Sequence, residues 1–203
     1  MSCKLLLATN NPGKVKEYRS LPSGINHELV TLQQAGITSV VEETGRTFEE
    51  NARLKAITLA IRSNQITLAD DSGLVVDALG GEPGVMSARY AGEKATDADR
   101  VSLLLRKMAG VPWEKRTALF KCVIAIATPA GDVALCEGEC HGFISLEPKG
   151  DNGFGYDPLF YFPELGKTMA ELPPEVKDLI SHRARAAMKV PEILSQPLFN
   201  CSQ

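Results

Sequence analysis

The stretch Lys4-Leu5-Leu6-Leu7-Ala8-Thr9-Asn10-Asn11-Pro12-Gly13-Lys14 decides the fold class. The apolar run Leu5 to Ala8 is too short for a buried helix and suits a short buried strand. Turn formers from Thr9 to Gly13 break it. The segment from Lys14 to Leu21 then reads as a helix. A strand, a loop and a helix in that order open an α/β protein.

The pattern continues outward. Residues 28–32 read as a second, weaker strand. Thr47 followed by Glu50 is a capping-box signature and predicts a helix over about 48–63, with Ala52, Ala56, Leu59 and Ala60 at helical spacing. Asn51 and Lys55, four apart, share one face of it. Residues 66–69 read as a strand that ends in a loop at Asp70-Asp71-Ser72-Gly73. A further apolar stretch from Leu74 to Leu79 ends at Gly80-Gly81. Thr96 and Asp99 cap a helix that carries Val101, Leu104, Leu105 and Met108 on one side. Two extended segments, 117–128 and 132–147, flank Pro129-Ala130-Gly131 and predict a hairpin. A strand near 158–162 and a helix from about 182, with Ser181 as N-cap, complete the chain. The expected fold is α/β with a mixed sheet.

Bulk properties narrow the function. The 203 residues suit one domain, or two lobes sharing a core, and the 44% hydrophobic and 23% charged residues are ordinary for a globular protein. A formal charge of −3 disfavours a nucleic-acid partner, yet local lysines and a metal can still hold a small polyanion. The five cysteines, at 3, 122, 136, 140 and 201, imply no disulfide framework and point to a reducing cytoplasm. No signal-peptide core or membrane-length apolar run is present, so a soluble protein with no membrane partner is expected.

Several segments can carry chemistry. Thr9 to Lys14 offers backbone N–H groups and a lysine at a helix N-terminus, which is either a triphosphate cradle or a plain turn. It is not a Walker loop, and the Gly-Lys-Thr at 166–168 lacks that motif's first glycine. Asp70-Asp71 above a sheet are either metal-binding carboxylates or turn formers. Successive strand side chains point to opposite faces, so one of the pair, Asp71, would face a metal together with Glu43. Taken alone, Glu42-Glu43 reads as a solvated acidic loop and Lys55 as a solvated lysine. Phe154 between Gly153 and Gly155 is either a stacking platform for a flat ligand or a core residue. His182-Arg183 can donate to carbonyl oxygens or phosphates, or simply start a surface helix. Cys136, Cys140 and His141 lack a second ligand pair, and strand alternation explains them better than a metal site does.

The segments form an ordered set. It runs Thr9–Lys14; Glu42-Glu43-Thr44-Gly45 with Phe48, Asn51, Ala52 and Lys55; and Ala69-Asp70-Asp71-Ser72-Gly73-Leu74. Pro83-Gly84 with Ser87-Ala88-Arg89-Tyr90, Gly153-Phe154-Gly155-Tyr156-Asp157-Pro158 and Ser181-His182-Arg183 follow. In these motifs the chain resembles the inosine triphosphate pyrophosphatase family, whose bacterial members are called dITP/XTP pyrophosphatases, from residue 4 to about 190. The resemblance implies an elongated mixed sheet with flanking helices, a single domain over 1–203 whose two lobes surround a central cleft, and a homodimer. It implies Mg²⁺-dependent hydrolysis of ITP, dITP and XTP to a monophosphate and pyrophosphate, which cleanses the nucleotide pool. By position, Asp71 would be general base and metal ligand, and Glu43 the other metal ligand. Thr9, Asn10, Asn11, Pro12, Gly13, Lys14 and Lys55 would hold phosphates, with Asp70 and Ser72 also at the substrate. Phe154, Gly155, Tyr156, Asp157, Lys177, His182 and Arg183 would bind the nucleoside end. Ala184 stands where some relatives have glycine, a change that favours the helix.

Physical reading and resemblance converge on one chemistry. Donors from His182 and Arg183 suit a 6-keto acceptor and would be unpaired against the amino group of adenine. Such a site can reject the analogue by about 10⁴–10⁵. Two rival readings stay open at this point. A phosphatase with an aspartate nucleophile would need Asp-x-Asp, whereas these aspartates are adjacent. A nucleotide sensor without catalysis would need Phe154 and His182-Arg183 but not Glu43 and Asp71.

Overall fold

The computed structural model describes residues 3–20, 27–38 and 41–199. Strand β1 (Cys3–Leu7) leads into helix α1 (Pro12–Ser20), and β2 (His27–Thr31) precedes α2 (Phe48–Ser63) and β3 (Thr67–Val76). Then come α3 (Asp97–Lys107), β4 (Thr117–Ala127), β5 (Val133–Ile144), β6 (Phe160–Phe162) and β7 (Lys167–Thr168). Helices α4 (Pro174–Ile180), α5 (His182–Ala187) and α6 (Val190–Leu194) follow. Among the described residues, seven strands lie in the order β2-β1-β3-β4-β5-β6-β7. β1 pairs in parallel with β2 and β3, while β6 pairs antiparallel with β5 and β7, so the sheet is mixed. Parallel neighbours need long crossovers, and α1 and α2 lie in those crossovers.

The chain divides into two compact units, each assembled from separate segments. One comprises residues 1–71, 122–138 and 183–203, and its apolar core joins Leu5, Leu7 and Leu68 to Ile124, Ile126 and Val190. The other comprises residues 72–121 and 139–182, with a core built on Leu74, Leu104, Met108, Phe120 and Phe160.

Local chemistry explains the helix limits. Thr47 Oγ1 accepts from the Glu50 N–H at 3.1 Å, and Glu50 reaches back to the N–H of Arg46 at 2.6 Å. α2 stops at Asn64, whose φ of 54° is the left-handed conformation that ends helices. Thr96 and Asp99 form a reciprocal capping box on α3, with Arg106 and Lys107 near its C-terminus favouring the helix dipole.

Several expectations need correction. Asp70-Asp71-Ser72-Gly73 is not a loop at a strand end, because β3 runs unbroken from Thr67 to Val76. Gly73 takes no left-handed backbone there. The polar residues stay in the strand because neighbouring side chains pair with them. The turn comes instead at Gly80 and Gly81, which do adopt positive φ. Helix α1 begins at Pro12 rather than Lys14, since a proline at the first helical position loses no hydrogen bond. Leu21, its expected end, lies outside the described residues. β5 ends at Ile144 and not at 147, and the strand near 158–162 is confined to β6. Helices α4 and α6 had no apolar periodicity long enough to reveal them. Cys3 is disulfide-bonded, against the expectation of none, while Cys122, Cys136 and Cys140 are in no disulfide.

Candidate active site

In the first unit, β1 delivers the chain to Thr9, and Asn11 caps α1. Asn11 Oδ1 accepts from the N–H groups of Gly13 at 2.9 Å and Lys14 at 3.2 Å, and Asn11 N–H donates to Thr9 Oγ1 at 3.2 Å. Asn10, Asn11 and Pro12 are exposed, Thr9 and Gly13 half-buried. The amides expected to cradle phosphate are therefore closed by a side chain that an anion would have to replace. Lys14 points to Asp70 Oδ2 at 2.9 Å.

Pleating of β3 separates the two aspartates. Asp70 is 1% exposed and collects Lys14, Arg183 at 3.5 Å and the Cys122 thiol at 3.8 Å, all on Oδ2. Burial alone would raise its carboxyl, but the charges of Lys14, Arg183 and Lys55 hold it well below the usual carboxylate range. Asp71 faces α2 and accepts from Asn51 Nδ2 at 3.0 Å through Oδ2, with Lys55 Nζ 3.8 Å from Oδ1. Burial pushes the Asp71 carboxyl upward, and Lys55 and Lys14 only partly offset it.

Lys55 is the hub of this cluster. Its ammonium donates to Glu43 Oε1 at 2.5 Å and to the Asp70 carbonyl at 2.7 Å while facing Asp71. Burial would lower the lysine, yet Asp71, Asp70 and Glu43 raise it. One cation thus already lies between Glu43 and Asp71, so a single positive centre can be shared by both carboxylates. Their hard oxygens fit Mg²⁺, which is commonly held by one or two carboxylates with water and substrate phosphate completing its shell. Among the described residues, no group of three or more His, Cys, Asp or Glu side chains is arranged to hold a metal.

The second unit holds the expected nucleoside residues. Phe154 is half-buried, and Lys177 Nζ lies over its ring, 5.0 Å from the centroid. Lys177 and Asp157 form a buried ion pair, and Asp157 Oδ2 also accepts from Phe154 N–H at 2.9 Å. Gly153 is required there: at φ +79° an added Cβ would stand 1.9 Å from Asp157 Oδ2. Gly155 N–H donates to Asp97 at 2.7 Å, and Tyr156 hydroxyl donates to the Ser87 carbonyl at 2.9 Å. Tyr156 is therefore a buried support for the loop. Ser72 is half-buried on β3. His182 stacks on Phe120, with centroids 4.7 Å apart and planes at 12°.

The structure gathers Lys14, Glu43, Lys55, Asp70 and Asp71 in one unit, and Phe154, Asp157 and Lys177 in the other. It does not bring the side chains of His182 and Arg183 together. Arg183 is buried in the first unit, where it pairs with Glu17 as well as Asp70. Sequence reasoning gave Glu17, three positions after Lys14, no role. It placed Asn51 on the Lys55 face without giving it a role. Asn51 is fully buried and fixes the loop at Glu43 by accepting from Gly45 N–H at 2.8 Å. Nothing in the sequence marked Phe120. Cys136 and Cys140 are buried and His141 exposed along β5, which is plain strand alternation.

A mixed sheet with helices on its crossovers carries, in its first unit, a carboxylate pair beside two half-buried lysines, Lys14 and Lys55. The family model described as Ham1 family matches residues 5–193, and the chain belongs to that family. A dITP/XTP pyrophosphatase of Geobacillus kaustophilus is 52% identical over 189 residues, 93% of each chain. Its counterpart in Bacillus subtilis is 46% identical over 93% of this chain and 96% of its own. The Ham1 protein of Staphylococcus aureus superposes with a TM-score of 0.84 at 41% identity, covering 94% of this chain and 97% of that one. A HAM1 protein from Coxiella burnetii gives 0.86 at 39%, covering 95% and 98%.

Proposed function

We propose that this protein hydrolyses 6-keto non-standard purine nucleoside triphosphates, namely ITP, dITP and XTP, to the monophosphate and pyrophosphate. It thereby removes them from the nucleotide pool before they enter DNA or RNA. The carrying observation is the Glu43–Lys55–Asp71 cluster, in which two carboxylates already share one cation. The relatives named dITP/XTP pyrophosphatase support the substrate class.

Glu43 and Asp71 would hold Mg²⁺, whose positive charge, when bound, stabilises the charge developing on the phosphates. Lys14 and Lys55 neutralise the departing pyrophosphate. Asp71 orients the attacking water toward the α-phosphorus, a positioning role that fits a carboxylate whose proton affinity a bound metal would lower. Asn51 holds the opposite carboxylate oxygen, which fixes the plane of the group. Thr9, Asn10, Asn11, Pro12 and Gly13 meet phosphate once the Asn11 cap yields its N–H groups. Asp70 keeps Lys14 in place, and Ser72 lies two residues further along the strand.

At the nucleoside end, the Phe154 ring offers a stacking face, and Lys177 and His182 supply donors for a 6-keto oxygen. A role for Arg183 there requires its nitrogens to leave Glu17 and Asp70. Gly155, Tyr156 and Asp157 shape the loop. The same reading makes the working form a cytoplasmic homodimer. Cys122, Cys136 and Cys140, in no disulfide, are compatible with a reducing compartment, which the Cys3 disulfide does not favour.

Incubation with ITP and Mg²⁺ and identification of the products tests the proposal. Inosine monophosphate and pyrophosphate are expected. The diphosphate with phosphate would indicate a phosphatase, and no turnover a sensor. Asp71→Asn should abolish turnover while the protein stays folded.

A further inference from the structure

The Lys55 ammonium occupies the space the metal reading needs, and that arrangement has a thermodynamic consequence. Its side chain is 12% exposed, and both of its carboxylate neighbours are largely removed from water, at 25% for Glu43 and 8% for Asp71. The Asp70 carbonyl, its second hydrogen-bond acceptor at 2.7 Å after Glu43, anchors the ammonium beside both carboxylates. A magnesium ion binds carboxylate oxygen at about 2.0–2.1 Å, so an ion on Glu43 Oε1 would lie within about 4–5 Å of Lys55 Nζ as now placed. Charges of like sign at that separation repel strongly where water is largely excluded. The ammonium and the divalent cation thus compete for the same pair of carboxylates.

We propose that Lys55 is the resident counter-ion of the Glu43–Asp71 pair and is displaced when a divalent cation enters. It thereby holds down metal affinity in the free protein and is released toward the substrate's phosphates as the metal binds. The inference rests on the proposed function's assignment of Glu43 and Asp71 to the metal. It adds a coupling: whatever anion draws Lys55 away from the carboxylates strengthens metal binding, and by linkage the metal strengthens anion binding. The fold supplies the geometry, since α2 carries Lys55 one turn after Asn51, which itself holds both Asp71 and the Glu43 loop.

The test is metal binding without nucleotide, read by the electron paramagnetic resonance of free Mn²⁺ and by Mg²⁺ calorimetry. Lys55→Met and Lys55→Gln remove the ammonium, Lys55→Arg retains a charge, and circular dichroism checks that each is folded. The neutral variants should bind either ion about tenfold more tightly than the parent protein or better. The arginine variant should show no gain. Equal or weaker binding in folded neutral variants overturns the competition, while leaving the metal assignment intact if Asp71→Asn weakens binding in the parent. If adding Asp71→Asn to Lys55→Met leaves the tight binding unchanged, the metal sits elsewhere, and both the inference and the assignment fall.

Discussion

Asp70 and Asp71 are adjacent, chemically identical and almost equally buried, yet replacing each by asparagine should have opposite effects on stability. Asp70 anchors two cations inside the protein. Removing one partner of a buried ion pair costs about 3–5 kcal/mol, because the remaining charge is stranded. The lower end applies here, since Arg183 keeps Glu17 and the Lys14 side chain retains 13% exposure. At roughly 2–4 °C per kcal/mol for a protein of this size, Asp70→Asn should lower the melting temperature by about 6–12 °C. Asp71 has the reverse character. Burial outweighs its lysine neighbours, so its ionised form opposes folding, and Lys55 keeps Glu43 and the Asp70 carbonyl without it. Asp71→Asn should leave stability within about 1 kcal/mol of the parent or raise it slightly. The two differ in pH dependence as well. A depressed folded pKa gives Asp70 a contribution that is present above the unfolded value near about 4 and is lost as pH falls below it, so the Asp70→Asn deficit should shrink in acid. The raised Asp71 value means its penalty is present at neutral pH and fades as pH falls through the folded value toward the unfolded one. Thermal and urea unfolding of the three proteins in chelator, at pH 7, 5, 4 and 3, measures all of this. If Asp70→Asn is as stable as the parent at pH 7, or Asp71→Asn is the less stable variant, the division of roles between the two faces of β3 is wrong.

Further substitutions probe the neighbouring supports. Asn51→Ala removes a fully buried group that bonds both Asp71 and Gly45, so it should cost about 1–3 kcal/mol in urea unfolding and lower kcat more than it raises KM. Gly153→Ala forces a Cβ against the Asp157 carboxylate at a positive φ, and should raise KM for ITP severalfold in steady-state kinetics through displacement of Asp157, Lys177 and Phe154. Thr96→Ala should cost about 1 kcal/mol by loss of the α3 capping box, with kcat unchanged in the same assay.

The elements legible in the sequence were those whose signals are local. The Thr47–Glu50 cap and the stripe from Ala52 to Ala60 predicted α2 to the residue, because capping and periodicity are written within a few positions. Pro129-Ala130-Gly131 between two extended segments marked the β4–β5 connection for the same reason. The reading failed where long-range partners override local propensity. Asp-Asp-Ser-Gly is a turn by composition, but lysines and an arginine from α1, α2 and α5 satisfy its carboxylates and let the strand continue. Short helices such as α4, held by packing on Val176 and Ile180, have too few turns to show a period. The ordered motifs identified Lys14, Glu43, Lys55 and Asp71 as one group. Their pairing with one another, and the part of Glu17 in it, depended on distances across the chain.

One rule runs through both the successes and the failures: adjacent residues in this site serve different masters. Alternation in β3 sends Asp70 to Lys14 and Arg183 and sends Asp71 to Asn51 and Lys55. At the start of α5 the side chain of His182 joins Phe120, while that of Arg183 joins Glu17 and Asp70. Several cations and amides among the expected residues are therefore closed on internal partners: in the first unit Lys14 on Asp70, Lys55 on Glu43 and the N–H groups of Gly13 and Lys14 on Asn11, and in the second Lys177 on Asp157. Such pairing keeps a mildly acidic protein from stranding buried charges before a polyanion arrives. It also makes binding an exchange of partners, in which a ligand gains only the difference between its contacts and those it replaces. On the proposed function, a triphosphate with its metal would replace several of the first unit's pairs at once. A monophosphate can replace few, so the closed arrangement by itself favours the substrate over the monophosphate product.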